Sequence, residues 1–439
     1  MTLAVFVISF VGLMAIGMPV AYAVGMVSVL VTGVYWFTEI GMDAMIYQFK
    51  ALVITVFHST DNVNLLTIPF FVFAGAIMAE GGMARRLVDL AYILVGWIRG
   101  GLTLVNILAC TLFGAISGSS VADTASIGSV MIPEMERKGY PRPFSAALTA
   151  SASVQAILVP PSHNSVLFAI IAMSPLATVP AMFVAGIIPT FLLCGTLIVL
   201  CLYFAKKNNF PKGEPVTKRQ AARIAYDSIW GLITIVIITG GILSGFFTPT
   251  ESGAIATIWA FLVTMFIYRE YKIKDLPKLI HRTIKTVTMV MVLIAFAAAF
   301  GQVMTLVGIP EAITRALLTV SENKYIVLVM VNILLLVLGC LMDMAPLILI
   351  MTPILLPVMM KIGVHPTHFG IMMMTNLGIG LITPPVGSIL FVASAVSGLK
   401  IEDVLKSMMP FFFALFLVLI LITYVPALTL WLPTYFGFL

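Results

Sequence analysis

Ile157-Leu-Val-Pro-Pro161 and Leu381-Ile-Thr-Pro-Pro385 place a Pro-Pro pair twice inside apolar stretches of a 439-residue chain. A proline has no amide proton and its ring clashes with the carbonyl one turn back, so each pair breaks a helix and strips carbonyls of their amide partners. At membrane depth, non-helical backbone is tolerated only where it is buried in protein or lines a polar cavity. Unpaired carbonyls in such a place attract cations.

Composition sets the solvent. Hydrophobic residues make up 61% of the sequence and charged residues 10%, far from the mix of a soluble domain. Several apolar runs reach the roughly 20 residues that a helix needs to cross a bilayer. The chain therefore reads as an all-α polytopic membrane protein. The apolar run 2–37 has neither a basic leader nor a small-residue cleavage motif, so it is expected to remain as helix rather than be removed. The excess of 24 Lys and Arg over 18 Asp and Glu sits in loops, where it reports orientation rather than a nucleic-acid surface. Cys110, Cys194, Cys201 and Cys340 stand singly in apolar segments without a C-x-x-C, which points to packing and not to a disulfide or zinc site. The 5 histidines form no H-E-x-x-H and no G-x-S-x-G occurs, which argues against a membrane hydrolase.

A repeat organises the rest. Shifted by 224 positions, Pro133, Met135, Gly139, Pro160 and Pro161 fall on Pro357, Met359, Gly363, Pro384 and Pro385. Shifted by 226, Gly75, Met78, Gly82 and Val105-Asn-Ile-Leu108 fall on Gly301, Met304, Gly308 and Val331-Asn-Ile-Leu334. Shared Gly and Pro positions in one register mark a duplication, expected as 1–206 and 226–439 with a cytoplasmic linker at 207–225.

Basic loops set the expected topology, because Lys and Arg concentrate on the cytoplasmic side. Six lie between Lys206 and Arg223 and six more over 269–285, and between these loops 229–245 and 252–268 form an out-and-back pair. Ser117-Gly-Ser-Ser120 separates two apolar helices too close together to cross twice, so about 101–136 reads as a re-entrant hairpin entering from inside. The broken segment 144–173 follows it. An odd number of crossings separates the two copies, which inverts the second one. Its hairpin, about 325–361, then enters from outside, and its broken helix is 369–396. With 2–17 and 19–37 the scheme gives about ten crossings, two hairpins and both termini outside. Two inverted repeats bring both sets of broken ends to the midplane, which is transporter architecture. A single block carrying both sites against a scaffold points to an elevator-type movement.

At this level of detail a family resemblance emerges. Thr67-Ile-Pro-Phe-Phe-Val-Phe-Ala-Gly75, Gly81-Gly-Met-Ala-Arg-Arg86, Ser117-Gly-Ser-Ser-Val-Ala-Asp123, Arg137-Lys-Gly-Tyr140, Phe247-Thr-Pro-Thr-Glu251 and Ile379-Gly-Leu-Ile-Thr-Pro-Pro-Val-Gly387 resemble the large membrane subunit of TRAP (tripartite ATP-independent periplasmic) transporters, over about 18–411. The resemblance implies a large permease subunit in a bacterial inner membrane, driven by sodium, that imports an organic acid such as a carboxylate or sugar acid. It also implies a small four-helix membrane subunit and a periplasmic substrate-binding protein as partners, and periplasmic termini. The rival is a stand-alone sodium/carboxylate symporter of the same fold. At the first break the family usually carries a Gly-Pro-Ile-Ile-Pro-Pro-Ser-Ile type sequence, whereas this chain reads Gln155-Ala-Ile-Leu-Val-Pro-Pro-Ser-His-Asn164. That departure falls in the expected substrate pocket, so the substrate is not taken over from the sialate and C4-dicarboxylate members.

The sites follow from oxygen chemistry. Unwound backbone carbonyls coordinate Na⁺ in broken transporter helices, so one ion is expected between Ser117, Gly118, Ser119 and Ser120 and the carbonyls from Ile157 to Pro160. The second copy offers Gly339, Asp343, Gly378, Thr383 and Pro384 for another. Two or more coupling Na⁺ and no organic cofactor are expected. The same features also read as hairpin caps and helix kinks without an ion. Ser120, Asp123, His163, Asn164, Thr383 and Ser388 are the candidate contacts for an anionic substrate, with helix N-termini supplying amides. Asp123 alternatively caps its helix, and His163 alternatively is a packed helix residue. Asn106 and Asn332 are expected to be structural, bridging backbone groups, and Glu251 to be structural.

Overall fold

A few residue types set where the apolar runs begin and end as helices. The computed structural model describes residues 2–39, 41–321 and 323–439. The first half runs through α1 (Thr2–Ala15), α2 (Val20–Glu39), α3 (Met42–Thr60), α4 (Thr67–Glu80), α5 (Met83–Val95), α6 (Gly101–Ser117), α7 (Ser120–Arg137), α8 (Arg142–Ser153), α9 (His163–Ala172) and α10 (Val179–Lys207). The second runs through α11 (Lys218–Ile235), α12 (Gly241–Leu243), α13 (Pro249–Leu262), α14 (Leu276–Val307), α15 (Ile309–Val320), α16 (Lys324–Leu341), α17 (Met344–Lys361), α18 (Pro366–Gly380), α19 (Ser388–Ser397), α20 (Ile401–Tyr424) and α21 (Ala427–Tyr435). Thr178 starts α10 by accepting the Ala181 amide, with Pro180 in the first turn, where its missing N–H costs nothing. Among the described residues, 9 helical stretches are long and apolar enough to cross a membrane. The all-helical polytopic membrane fold is therefore as the composition predicts.

Local chemistry moves one boundary. Helix α11 begins at Lys218, inside the expected 207–225 linker, because Thr217 and Gln220 form a capping box there. Helix α3 packs along α14. Helix α5 stops at Val95, and the chain turns through Gly100 at φ 71° into α6.

The packing has a recurring pattern. Helix α6 lies along α8, and α16 lies along α18. The second arms also reach across: α7 packs on α8 and on α19, and α17 packs on α18 and on α9. Around them α4 pairs with α13 and α14 with α2. In lipid the hydrophobic effect does not draw helices together, so close packing and polar bonds must. Asn106 Nδ2 donates to Thr149 Oγ1 at 2.7 Å, joining α6 to α8. Asn376 Nδ2 donates to Asn332 Oδ1 at 2.7 Å, joining α18 to α16, and Asn332 Nδ2 reaches Thr423 Oγ1 of α20 at 3.2 Å. Bonds of this kind contribute on the order of 1 kcal/mol each. The two asparagines that match under the repeat thus hold structural places, though they join neighbouring helices mainly through side chains rather than backbone groups.

Candidate functional site

The first hairpin turns on Gly118, which ends α6 at φ 59°, a left-handed conformation that costs a side-chain-bearing residue about 1 kcal/mol or more. Ser119 is extended, and its Oγ accepts the Ala122 amide at 3.4 Å to cap α7. On the facing segment α8 tightens into a 3₁₀ turn, Val154–Ile157. The chain then leaves helical conformation through the cis Pro160–Pro161 bond until α9 starts at His163. The two features meet. A Cβ placed on Gly118 would lie 3.2 Å from His163 Nδ1 and 3.3 Å from the Pro161 carbonyl oxygen. One turn earlier, a Cβ on Gly114 would come within 2.7 Å of Ala156, so the hairpin sits flush on the break. From the other side Gly75 of α4 backs the turn, its built Cβ 3.3 Å from Ser117 Cα.

Several oxygens at this meeting point are buried without a hydrogen-bond partner: Ser120 Oγ, Ser162 Oγ and both oxygens of Asp123. Asp123 is 0% exposed and does not cap α7, a task that falls to Ser119. The Cys110 thiol of α6 lies beside its carboxyl. Neighbouring hydroxyls are bonded in pairs, Thr124 Oγ1 with Ser153 Oγ at 2.5 Å and Thr111 Oγ1 donating to Gln155 Oε1 at 2.9 Å, while Gln155 Nε2 is buried without a partner. Asn164 is buried on the first turn of α9. Of the carbonyls expected to face an ion, that of Leu158 is instead seated on Gly186 of α10, whose built Cβ would lie 2.3 Å from it.

The second half repeats the arrangement with different bonding. A Cβ on Gly380 would be 2.7 Å from the Gly339 backbone, and the Val386 amide donates to the Cys340 carbonyl at 3.0 Å, so the second hairpin is tied to the second break. Within that break, which includes the cis Pro384–Pro385 bond, the Leu381 carbonyl accepts Ile389 N at 3.1 Å and the Thr383 carbonyl accepts Gly387 N at 3.3 Å. Thr383 Oγ1 donates back to the Ile379 carbonyl at 2.7 Å. Asp343 is exposed and caps α17 by accepting the Met344 amide at 2.9 Å. Ser388 Oγ at the start of α19 is buried without a partner. Gly378 brings the two breaks together, since its built Cβ would stand 2.9 Å from Ile157 Cδ1.

The structure therefore gathers Gly118, Ser119, Ser120, His163 and the Pro160–Pro161 loop, and sets Gly378 against Ile157. Asp343 stands apart from them as an exposed helix cap. Sequence reasoning passed over Ser162, Gln155 and Gly186. Ser162 adjoins the Pro-Pro pair, so an obligate polar residue at a helix start was a usable signal; nothing local marks Gly186. Glu251 takes the structural role expected of it, accepting the Thr248 amide at 2.8 Å and its hydroxyl at 2.9 Å in a capping box. Among the described residues no group of 3 or more His, Cys, Asp or Glu could hold a metal ion, so the donors on offer are hydroxyls, carbonyls and a lone carboxylate.

Comparison with known proteins gives one consistent result. Residues 7–428 match the family described as tripartite ATP-independent periplasmic transporter, DctM component. The chain is similar to the C4-dicarboxylate TRAP transporter large permease protein DctM of Pseudomonas aeruginosa, with 40% identity over 88% of this chain and 90% of that one. It is also similar to the isethionate TRAP transporter permease protein DctMQ of Oleidesulfovibrio alaskensis, with 36% identity over 94% of this chain and 64% of that one. Among solved structures, the fold is similar to that of the Alcanivorax borkumensis YdaH transporter, with a TM-score of 0.60 at 16% identity, covering 88% of this chain and 89% of the other.

Proposed function

For a chain that belongs to the DctM component family of tripartite ATP-independent periplasmic transporters, and is thus a multi-pass large permease subunit and not an enzyme, we propose sodium-coupled import of an organic acid by an elevator-type movement. The observation that carries this reading is the contact of the Gly118 turn with the Pro161–His163 break, with Ser120 Oγ and Ser162 Oγ buried on its two sides and unbonded, and the Asp123 carboxyl buried one turn further along α7. Buried polar atoms without partners are costly, of order 1–3 kcal/mol each, and an ion that satisfies several at once turns that cost into affinity. Na⁺ suits them because all are oxygens.

In this reading Ser117, Gly118, Ser119, Ser120, Ile157 and Pro160 supply one Na⁺ site, and Gly339, Gly378, Thr383 and Pro384 the other. Fewer carbonyls of the second break are free, which makes the first site the better provided of the two. Substrate sits between them, with Ser388, Asn164 and the amide ends of α7 and α19 facing its carboxylate. His163 beside the Gly118 turn, in place of the family's usual apolar residue, sets the selectivity. The two hairpins and two broken helices move together, while α2, α4, α13 and α14 form the scaffold. A small four-helix membrane subunit and a periplasmic binding protein complete the system, in a bacterial inner membrane with both termini periplasmic.

The test is uptake in cells or proteoliposomes by the chain alone, and with the neighbouring small-subunit and binding-protein genes. Uptake by the chain alone favours the stand-alone symporter. Ser119→Pro and Gly378→Val should abolish sodium-dependent uptake while the protein still inserts. Undiminished sodium dependence in both variants counts against these ion sites.

A further inference from the structure

At the basic end of the molecule, away from the breaks, a cavity of about 570 Å³ lies between α5, the outer end of α7 and the loop 211–213. Its walls carry Arg85, Arg137, Lys138 and Lys212 against Asp89 and Glu134. Arg137 is paired with Glu134 at 3.3 Å, and Lys138 with Glu214 at 3.3 Å. Among the described residues Lys212 makes no ion pair, and Arg85 faces only Asp89 at a distance. A positive remainder is left in a partly enclosed space.

The wall is firmly built. Gly100 N donates to the Pro211 carbonyl at 3.0 Å, Glu214 N donates to Tyr92 Oη at 3.0 Å, and Arg99 Nη2 donates to Asn209 Oδ1 at 2.6 Å. The loop that carries Lys212 is therefore strapped over α5. Tyr92 also lines a second, smaller cavity of about 130 Å³ together with Trp97 and Pro215. Beside it Leu94 and Trp97 present bare apolar surface, 56% and 60% exposed. Amphipathic elements with an exposed Trp settle at the headgroup level of a bilayer.

We propose that this cavity binds a phosphate ester, held by Arg85 and Lys212 and supplied either as the headgroup of an anionic phospholipid or as a soluble phosphate compound. Arg offers a planar fork to phosphate oxygens and Lys a point charge. Basic pockets between membrane helices on the cytoplasmic side take lipid headgroups in this way. The ligand would touch α5, the hairpin arm α7 and the interhelical loop at once, adding to the Tyr92–Glu214 bond and the Lys138–Glu214 pair that already join them.

Native mass spectrometry on the full-length chain in detergent tests this with phosphatidylglycerol, phosphatidylcholine and glycerol phosphate as separate probes. Retention of phosphatidylglycerol over phosphatidylcholine, reduced about tenfold or more in Arg85→Gln/Lys212→Gln and restored by Lys212→Arg, supports a lipid source. Binding of glycerol phosphate with the same dependence on both residues, and no preference among lipids, supports a soluble source. Equal retention of both lipids with no binding of glycerol phosphate overturns the proposal. So does unchanged binding in the double variant, or in Lys212→Gln alone should the double variant fail to fold.

Discussion

The carbonyl oxygen of Leu158 lies where a side chain on Gly186 would begin, 2.3 Å from a built Cβ. The first break is therefore held in shape by a missing side chain on a helix that contributes nothing else to the candidate site. Gly186→Ala should lower uptake strongly, by about tenfold or more, since a backbone carbonyl cannot retreat as a flexible side chain can. Insertion should be intact. Wild-type uptake by Gly186→Leu would show that this contact does not shape the site.

Asp123 and Asp343 occupy similar places near the two hairpin turns but differ in surroundings. Asp123→Asn should reduce uptake about tenfold or more, because a buried carboxyl with only the weakly donating Cys110 thiol beside it is retained for what it binds. Asp343→Ser keeps a capping oxygen and should leave uptake within about twofold. Comparable losses in both would refute the distinction.

Asn106→Ala and Asn332→Ala should each cost about 0.6–2 kcal/mol, read as a lower melting temperature in detergent. Asn332 serves both Asn376 and Thr423, so its loss should be the larger. Thermal melts of the two single variants decide it.

The Thr248–Glu251 capping box fixes the start of α13, so Glu251→Ala should modestly lower the melting temperature in detergent. An unchanged melt would show that the box does not hold this helix end.

A cysteine replacing Glu214 lies on the strapped loop among Lys207, Lys212 and Lys218. It should react with an impermeant thiol reagent only from the cytoplasmic side. Labelling of intact cells from the periplasm would overturn the orientation, and with it the inversion of the second half.

The first hairpin turn and both breaks were legible from sequence because Gly-Ser and Pro-Pro act locally: Gly118 turns the chain and Pro160–Pro161 ends a helix whatever surrounds them. Gly186 was not, since the reason for its small size lies in Leu158, which only the fold brings near. The two aspartates looked alike for the same reason. What separates a buried carboxyl from an exposed helix cap is how the arms pack, and the spacing of charges along the chain carries no record of that. Thr217 and Gln220 were readable as a capping box, yet the run of basic residues drew the boundary of α11 too late.

The contacts of α7 with α19 and of α17 with α9 bear on how the protein is made. Ribosomes deliver α7 early together with α8, which packs on it, but α19, which also covers it, is synthesised only near the end of the chain. Until then the face of α7 that meets α19 must wait in the translocation machinery or against lipid without its final neighbour. The first half is thus unfinished business until the second arrives, so severing the chain between α10 and α11 would leave two fragments that each lack the other's lining. Quality control in the membrane has a long interval in which to act on this protein.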